Sequence, residues 1–292
     1  MSEHTGLVVE NMELLLPRLS VLELGHPDPS MPDYAEYSPK AIIPIESRPF
    51  DETTDFPWLE QYFLARETTP LLGRMAIIKS PFSPEEFEAL QQFAQGGVPT
   101  SREAQPDIIR APIIDIPDDL PAPGGTLPPN SATRRNKGGD TVPNYIMRNP
   151  PGMRTSTIIN GDPPRRAIHF DSWFYGETGE QRLASPNRLG LNLGPTLDRS
   201  VIITEDDIFD IEAASETGLG PGVVDRHFSR QIGNGEKPRA LALKIGVREG
   251  YILPTEAIGH DGIVSGEYKG PGESWVAFWV GQFAVDNFER VA

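Results

Sequence analysis

Proline and glycine punctuate this chain so often that few segments can run as long helices. There are 30 prolines and 28 glycines in 292 residues. Proline removes a backbone donor, and glycine raises the entropy cost of any regular element. Short strands joined by turns tolerate that punctuation better than helical bundles do. From about residue 141 the texture becomes strand-like. Residues 155–160, 167–170, 189–193, 200–204, 240–247, 251–253 and 274–280 all suit β structure by composition. No internal repeat and no regular alternation of strand with helix interrupts this run.

Two helices are expected ahead of the strands. Residues 56–64 read as a short helix with Pro57 in its first turn. Ser83-Pro84-Glu85-Glu86 is a capping box, Phe87, Leu90 and Phe93 supply one apolar face, and Gly96 stops the helix. Residues 1–50 are proline-rich and read as an extended arm wrapped on the surface. Residues 51–292 then form one domain with a barrel core at about 141–283, and 121–140 form a long loop near a site entrance. This is a mainly β fold with supporting helices, in the manner of a jelly-roll or double-stranded β-helix, the architecture that includes cupins. The helices are expected against the outside of one sheet. Gly218-Leu219-Gly220-Pro221-Gly222 matches a turn and not a phosphate-cradling loop.

Charge and composition narrow the function. Acidic residues number 42 against 26 basic ones, a formal net charge of −16. Such a surface repels nucleic acid and anionic lipid, so a small-molecule partner is expected, with no nucleic acid and no membrane. Oligomeric state is left open. Absence of cysteine excludes disulfides, thiolate metal sites and cysteine nucleophiles. Residues 1–20 lack the pattern of a signal peptide, no apolar run approaches a membrane span, and a cytoplasmic address is expected. No Gly-x-Ser-x-Gly elbow supports a serine hydrolase.

The segment Ala167-Ile168-His169-Phe170-Asp171-Ser172-Trp173 carries the sharpest chemical signal. Side chains two apart on an extended segment share a face, so His169 and Asp171 point the same way. Of five histidines, His260 is the candidate to return beside them, because Gly259 and Gly262 let the backbone approach a metal closely. Two imidazoles and one carboxylate on one side of a metal form the facial triad of non-haem Fe(II) oxygenases. Two plainer readings stand beside this one. His169 and Asp171 can form a surface hydrogen bond, and His260-Asp261-Gly262 can be an ordinary turn. Asp261 faces away from its neighbour, and His227, in a charged stretch, reads as a solvated loop residue.

His169-x-Asp171 followed at a distance by His260 resembles the HxD…H pattern of the Fe(II)- and 2-oxoglutarate-dependent oxygenases, over roughly residues 145–283. The resemblance implies that His169, Asp171 and His260 are the metal ligands. It also implies Fe(II) as cofactor, with 2-oxoglutarate and O2 as co-substrates taking the remaining coordination positions. Hydroxylation, desaturation or cyclisation of a small metabolite follows, an amino acid derivative or natural-product intermediate being the expected substrate. Family members often carry an arginine on the strand after the distal histidine, and 273–283 has no basic residue there.

Lys269 is the nearest substitute, but Arg188 fits better. In Arg188-Leu189-Gly190-Leu191-Asn192-Leu193 the arginine and asparagine share one face and three leucines the other. Arg188 and Asn192 are therefore the candidate co-substrate contacts, with the alternative that Arg188 marks a strand edge. Arg148, Arg154, Arg165 and Arg166 offer an anion-binding rim, of which Arg154 is preferred, and Trp173 and Trp275 can wall a pocket. Two rivals keep their place: a non-haem iron enzyme on the same triad without 2-oxoglutarate, and a non-catalytic jelly-roll module that binds a small ligand.

Overall fold

The computed structural model describes residues 12–26, 42–64, 75–98, 108–109, 113–117, 119–123, 144–149, 158–159, 168–171, 178–183, 187–195, 199–216, 218–220, 223–264, 274–281 and 283–291. In chain order, α1 (Met12–Leu15) leads to β1 (Leu19–Gly25), β2 (Ile43–Pro49) and α2 (Glu52–Leu59), which passes into a π turn at Glu60–Leu64. Next come β3 (Ala76–Lys79), α3 (Pro84–Gly96), β4 (Ile108–Ile109), β5 (Ile113–Asp115), β6 (Tyr145–Asn149) and β7 (Ile158–Ile159). The second half holds α4 (Gly179–Leu183), β8 (Asn187–Gly194), β9 (Arg199–Asp207), α5 (Ile208–Ala213) and α6 (Val223–Gly233). It ends with β10 (Arg239–Ile245), β11 (Glu249–Leu253), β12 (Ile258–Val264) and β13 (Ser274–Gly281).

Among the described residues two sheets result, in the orders β12-β9-β10-β1-β2 and β3-β11-β8-β13-β6-β5, with β4 and β7 as a separate pair. The pairings between these strands are antiparallel. The chain is thus mainly β with supporting helices, and no helix among the described residues is long and apolar enough to cross a membrane.

Alternation along the strands sorts side chains between one inner core and two outer ones. Val21, Val201, Ile203, Leu241 and Leu243 of the first sheet meet Tyr145, Met147, Tyr251, Val276 and Phe278 of the second between the sheets. Leu189, Leu191 and Leu193 of β8 face outward, toward Phe87, Leu90 and Ala94 of α3. Arg188, Gly190 and Asn192 are thereby left on the inner face, as the sequence alternation predicts. The outer side of the first sheet packs Ile202, Ala240 and Ala242 against Ile208 and Ile211 of α5 and Val224 and Phe228 of α6. Each fully buried large aliphatic or aromatic side chain contributes roughly 1.5–3 kcal/mol, which makes these three clusters the main stabilising term.

The capping box of α3 forms as expected: Glu86 N–H donates to Ser83 Oγ at 3.2 Å, and Ser83 N–H to Glu86 Oε2 at 2.8 Å. The helix ends at Gly96. α2 begins earlier than the sequence reading has it, because Asp51 caps it by accepting from Thr53 and Thr54 N–H. Pro57 therefore lies inside the helix rather than in its first turn.

Other expectations are corrected. The proline-rich first fifty residues are not all surface arm: β1 lies within the first sheet, paired on both sides by β10 and β2. Of the strand expected at 167–170, residues 168–170 are described and form no sheet strand; His169 makes one isolated bridge, to His260. Of 155–160, only β7 is described. The loop expected at 121–140 lies outside the described residues beyond 123.

Candidate metal centre

The isolated bridge builds the site. His169 N–H donates to His260 O at 3.1 Å, and His260 N–H to His169 O at 3.0 Å. This reciprocal pair sets the two imidazoles side by side, with ring centroids 4.8 Å apart. Two residues on, Asp171 N–H donates to Thr255 O at 2.9 Å, which ties this segment to the turn that precedes β12. Asp171 returns to the same face as His169, as the spacing predicts. Its Oδ1 lies 3.5 Å from His169 Nε2, and its Oδ2 lies 3.4 Å from His260 Nε2.

Each of the three residues offers one ligand atom, and these atoms all lie within 4.8 Å of one another. Ligands about 2.0–2.2 Å from one first-row ion, at right angles, stand about 3 Å apart. The observed spacing is therefore that of a group ready to close on a cation. His260 is buried, and its Nδ1 faces Ile258 O at 3.1 Å. A proton placed on Nδ1 satisfies that carbonyl and leaves the Nε2 lone pair for a metal, the usual arrangement for a histidine ligand. Asp171 Oδ2 is buried, with Arg188 Nη2 at 2.8 Å and His260 Nε2 at 3.4 Å beside it. Two imidazoles and one carboxylate converging in this way are a donor set that suits a divalent metal.

Electrostatics keep the carboxylate charged. Burial pushes the Asp171 carboxyl up, but the Arg188 guanidinium and the two imidazoles beside it outweigh that and hold it well below the usual range. Arg188 Nη2 lies 2.8 Å from Asp171 Oδ2. Its Nη1 donates to the Tyr145 hydroxyl at 2.7 Å, and its guanidinium carbon stands 5.8 and 5.9 Å from the Tyr145 and Phe278 ring centres. Burial alone would lower the Arg188 pKa; the Asp171 charge, with smaller contributions from Tyr145, Tyr251 and Glu256, raises it instead. Arg188 is thus an inner-face residue at the triad and not a solvated strand edge.

A second buried guanidinium escaped the sequence reading. Arg199 opens β9 on the face that carries Val201 and Ile203, and burial lowers its pKa to about 10. Its charge acts on Tyr251, whose hydroxyl is pushed up chiefly by burial. Tyr251 also feels Arg188, Tyr145 and Asp171, so these polar groups share one interior. Period-two alternation back from Ile203 through Val201 was the available signal for Arg199.

The remaining candidates separate. Asn192 shares the inner face with Arg188, but its amide serves the backbone: Nδ2 donates to Ile245 O and Oδ1 accepts from Gly194 N–H, both at 2.9 Å. Arg154, Trp173, Arg165, Arg166 and Lys269 lie outside the described residues. Arg148 is no anion rim; its guanidinium donates to the carbonyls of Ala94, Gln95 and Gly97 and caps α3. Trp275 packs with the outer cluster beneath α3. His227 is not on a solvated loop. It lies on α6, with Nε2 2.6 Å from Asp206 Oδ2. Gly259 makes room for Thr204, whose Oγ1 would stand 2.5 Å from an added Cβ, rather than for a metal.

Fold and side chains together define the class: a β-rich protein bearing a two-histidine, one-carboxylate group able to hold a metal ion. No protein-family model matches the sequence, and no curated protein matches it either. Among solved structures, HygX from Streptomyces hygroscopicus, described with iron bound, is similar over 79% of this chain and 87% of its own. The sequence identity is 11% and the TM-score 0.33. At that level the functional reading rests on the side chains and not on the likeness.

Proposed function

We propose that this chain is a non-haem Fe(II)- and 2-oxoglutarate-dependent oxygenase of double-stranded β-helix architecture, acting on a small metabolite. The carrying observation is the convergence of His169, Asp171 and His260, with all three ligand atoms within 4.8 Å. These residues would hold iron on one face and leave its other positions to ligands, as the two-histidine, one-carboxylate arrangement does. Bound iron supplies O2 activation. The overall balance is R–H + O2 + 2-oxoglutarate → R–OH + succinate + CO2, with one oxygen atom entering each organic product. Arg188, Arg199 and Tyr251 favour a dicarboxylate. A divalent cation beside the mutually neutralising Arg188–Asp171 pair leaves net positive charge in a desolvated interior, which a dianion offsets. The forked donors of arginine suit a carboxylate, and the Tyr251 hydroxyl adds a third donor.

A second reading has its own observation. Arg188 is already engaged by Asp171 and Tyr145, which favours an iron oxidase or oxygenase that uses no 2-oxoglutarate. Anaerobic Fe(II) titration of the parent, H169A, D171A and H260A tests the metal centre. Binding by the parent that is lost in each variant is expected. Undiminished binding in H169A sinks the triad and leaves the non-catalytic ligand-binding module. Succinate formed in step with substrate oxidation then selects the 2-oxoglutarate reading; substrate oxidation without succinate selects the other.

A further inference from the structure

Arg182 is among the largest fully buried side chains of the described residues, in a position where an aliphatic residue would satisfy packing at lower desolvation cost. It belongs to α4, whose start is fixed by reciprocal capping. Thr178 N–H donates to Gln181 Oε1 at 2.9 Å, and Gln181 N–H to Thr178 Oγ1 at 3.3 Å. Gly179 N–H adds a bond to Glu212 Oε2 of α5 at 3.0 Å. The short helix is thereby set against α5 and aims Arg182 inward.

The guanidinium reaches two backbone carbonyls far apart in sequence. Nη2 donates to Asp171 O and Nε to Glu256 O, each at 2.8 Å, and the guanidinium carbon lies 5.6 Å from the Phe170 ring centre. Asp171 N–H is already held by Thr255 O, the neighbour of Glu256. A closed ring follows: Asp171 N–H to Thr255, one residue along to Glu256, through the guanidinium, and back to Asp171 O. Both peptide groups flanking the Asp171 side chain are fixed by this ring, and the direction of its carboxylate with them. The clamped turn leads directly into β12, which carries His260.

We propose that Arg182 is a positioning residue for the metal centre, locking Asp171 of one segment to the turn before His260 so that all three ligand atoms converge. The inference rests on the metal reading above. Supporting groups around metal ligands typically change metal affinity about 10–100-fold when removed. A planar fork is needed to serve both carbonyls, so lysine restores only part of the function.

The test uses the full chain with Co(II) alone as probe, under anaerobic conditions, in the parent, R182M, R182K and H169A. Affinity and the visible absorption of bound Co(II) are read, together with hydrogen exchange of the Asp171 amide in metal-free protein. R182M is expected to bind Co(II) about 10–100-fold more weakly, with an altered spectrum and faster Asp171 exchange, and R182K to lie between. Parental affinity and spectrum in R182M, with H169A impaired, overturn the assignment to Arg182 and leave the metal centre standing. Should R182M fail to fold, R182K decides in the same way: parental affinity and parental exchange overturn the proposal. Absence of Co(II) binding by the parent overturns the metal reading, and this inference falls with it.

Discussion

Arg188 and Asp171 form a 2.8 Å ion pair between side chains only 11% and 12% exposed. Each neutralises a charge that the interior would otherwise have to accommodate alone. Removing one partner of a buried pair costs about 3–5 kcal/mol, because the other is left uncompensated. R188M is therefore expected to lose stability on that scale in metal-free protein, measured by urea unfolding followed by circular dichroism. D171N/R188M is expected to be more stable than the sum of the two single losses implies. Strict additivity, within about 0.5 kcal/mol, would show that the two residues are not coupled.

Stability at low pH should depend on Asp55. Its carboxyl is held below the ordinary range chiefly by a two-pronged bond from Arg48, with both contacts at 2.5 Å; burial opposes this and Asp51 N–H assists. A carboxyl whose pKa is depressed on folding stabilises fully above its unfolded value, about 3.9, and loses that contribution as pH falls through the folded value. Arg48 is half exposed, so solvent screening limits the effect to about 1 kcal/mol. D55N should be less stable than the parent by that amount at pH 7, and the gap should close below pH ~4. A gap that stays constant down to pH ~2 would exclude the pair as its source.

What could be read from the sequence was local. Ser83 to Gly96 declares a helix because cap, apolar face and stop lie within one stretch. Leu189, Leu191 and Leu193 place Arg188 on the inner face because strand alternation is local too. His169 and Asp171 share a face by the same rule. What escaped is decided by partners distant in sequence. β1 sits in a proline-rich region and becomes a strand through β10. Val223, Val224 and Phe228 give α6 its buried face only once the first sheet is there to receive them. Asn192 looks like a ligand contact until the carbonyl of Ile245 is seen beside it. Gly259 resembles an approach to the metal until Thr204 is found where its side chain would be.

Arg148 offers a test of one such correction. As a cap on three carbonyls at the end of α3, it offsets the helix dipole and bonds groups that lack helical partners. R148M should cost about 1–2 kcal/mol in thermal unfolding and leave metal affinity unchanged. Weaker anion binding without loss of stability would restore the anion-rim reading instead.

Gly190 and Tyr251 are paired across β8 and β11, and the tyrosine ring occupies the space above the glycine. A Cβ at 190 would stand 2.5 Å from Tyr251 Cζ and 2.6 Å from Cε1. The ring cannot yield freely, because Tyr251 is buried in the core between the sheets, edge-on to Phe278 with centroids 6.5 Å apart. G190A is therefore expected to cost about 1–3 kcal/mol by overpacking and to displace the Tyr251 hydroxyl. Replacing the ring first removes the clash, so adding G190A to Y251L should cost less than adding it to the parent. Under the proposed function the displacement also disturbs the co-substrate contacts. 2-Oxoglutarate should then bind G190A more weakly than the parent in the presence of metal, while metal affinity itself changes little. Equal 2-oxoglutarate affinity in G190A and the parent would remove Tyr251 from the co-substrate site.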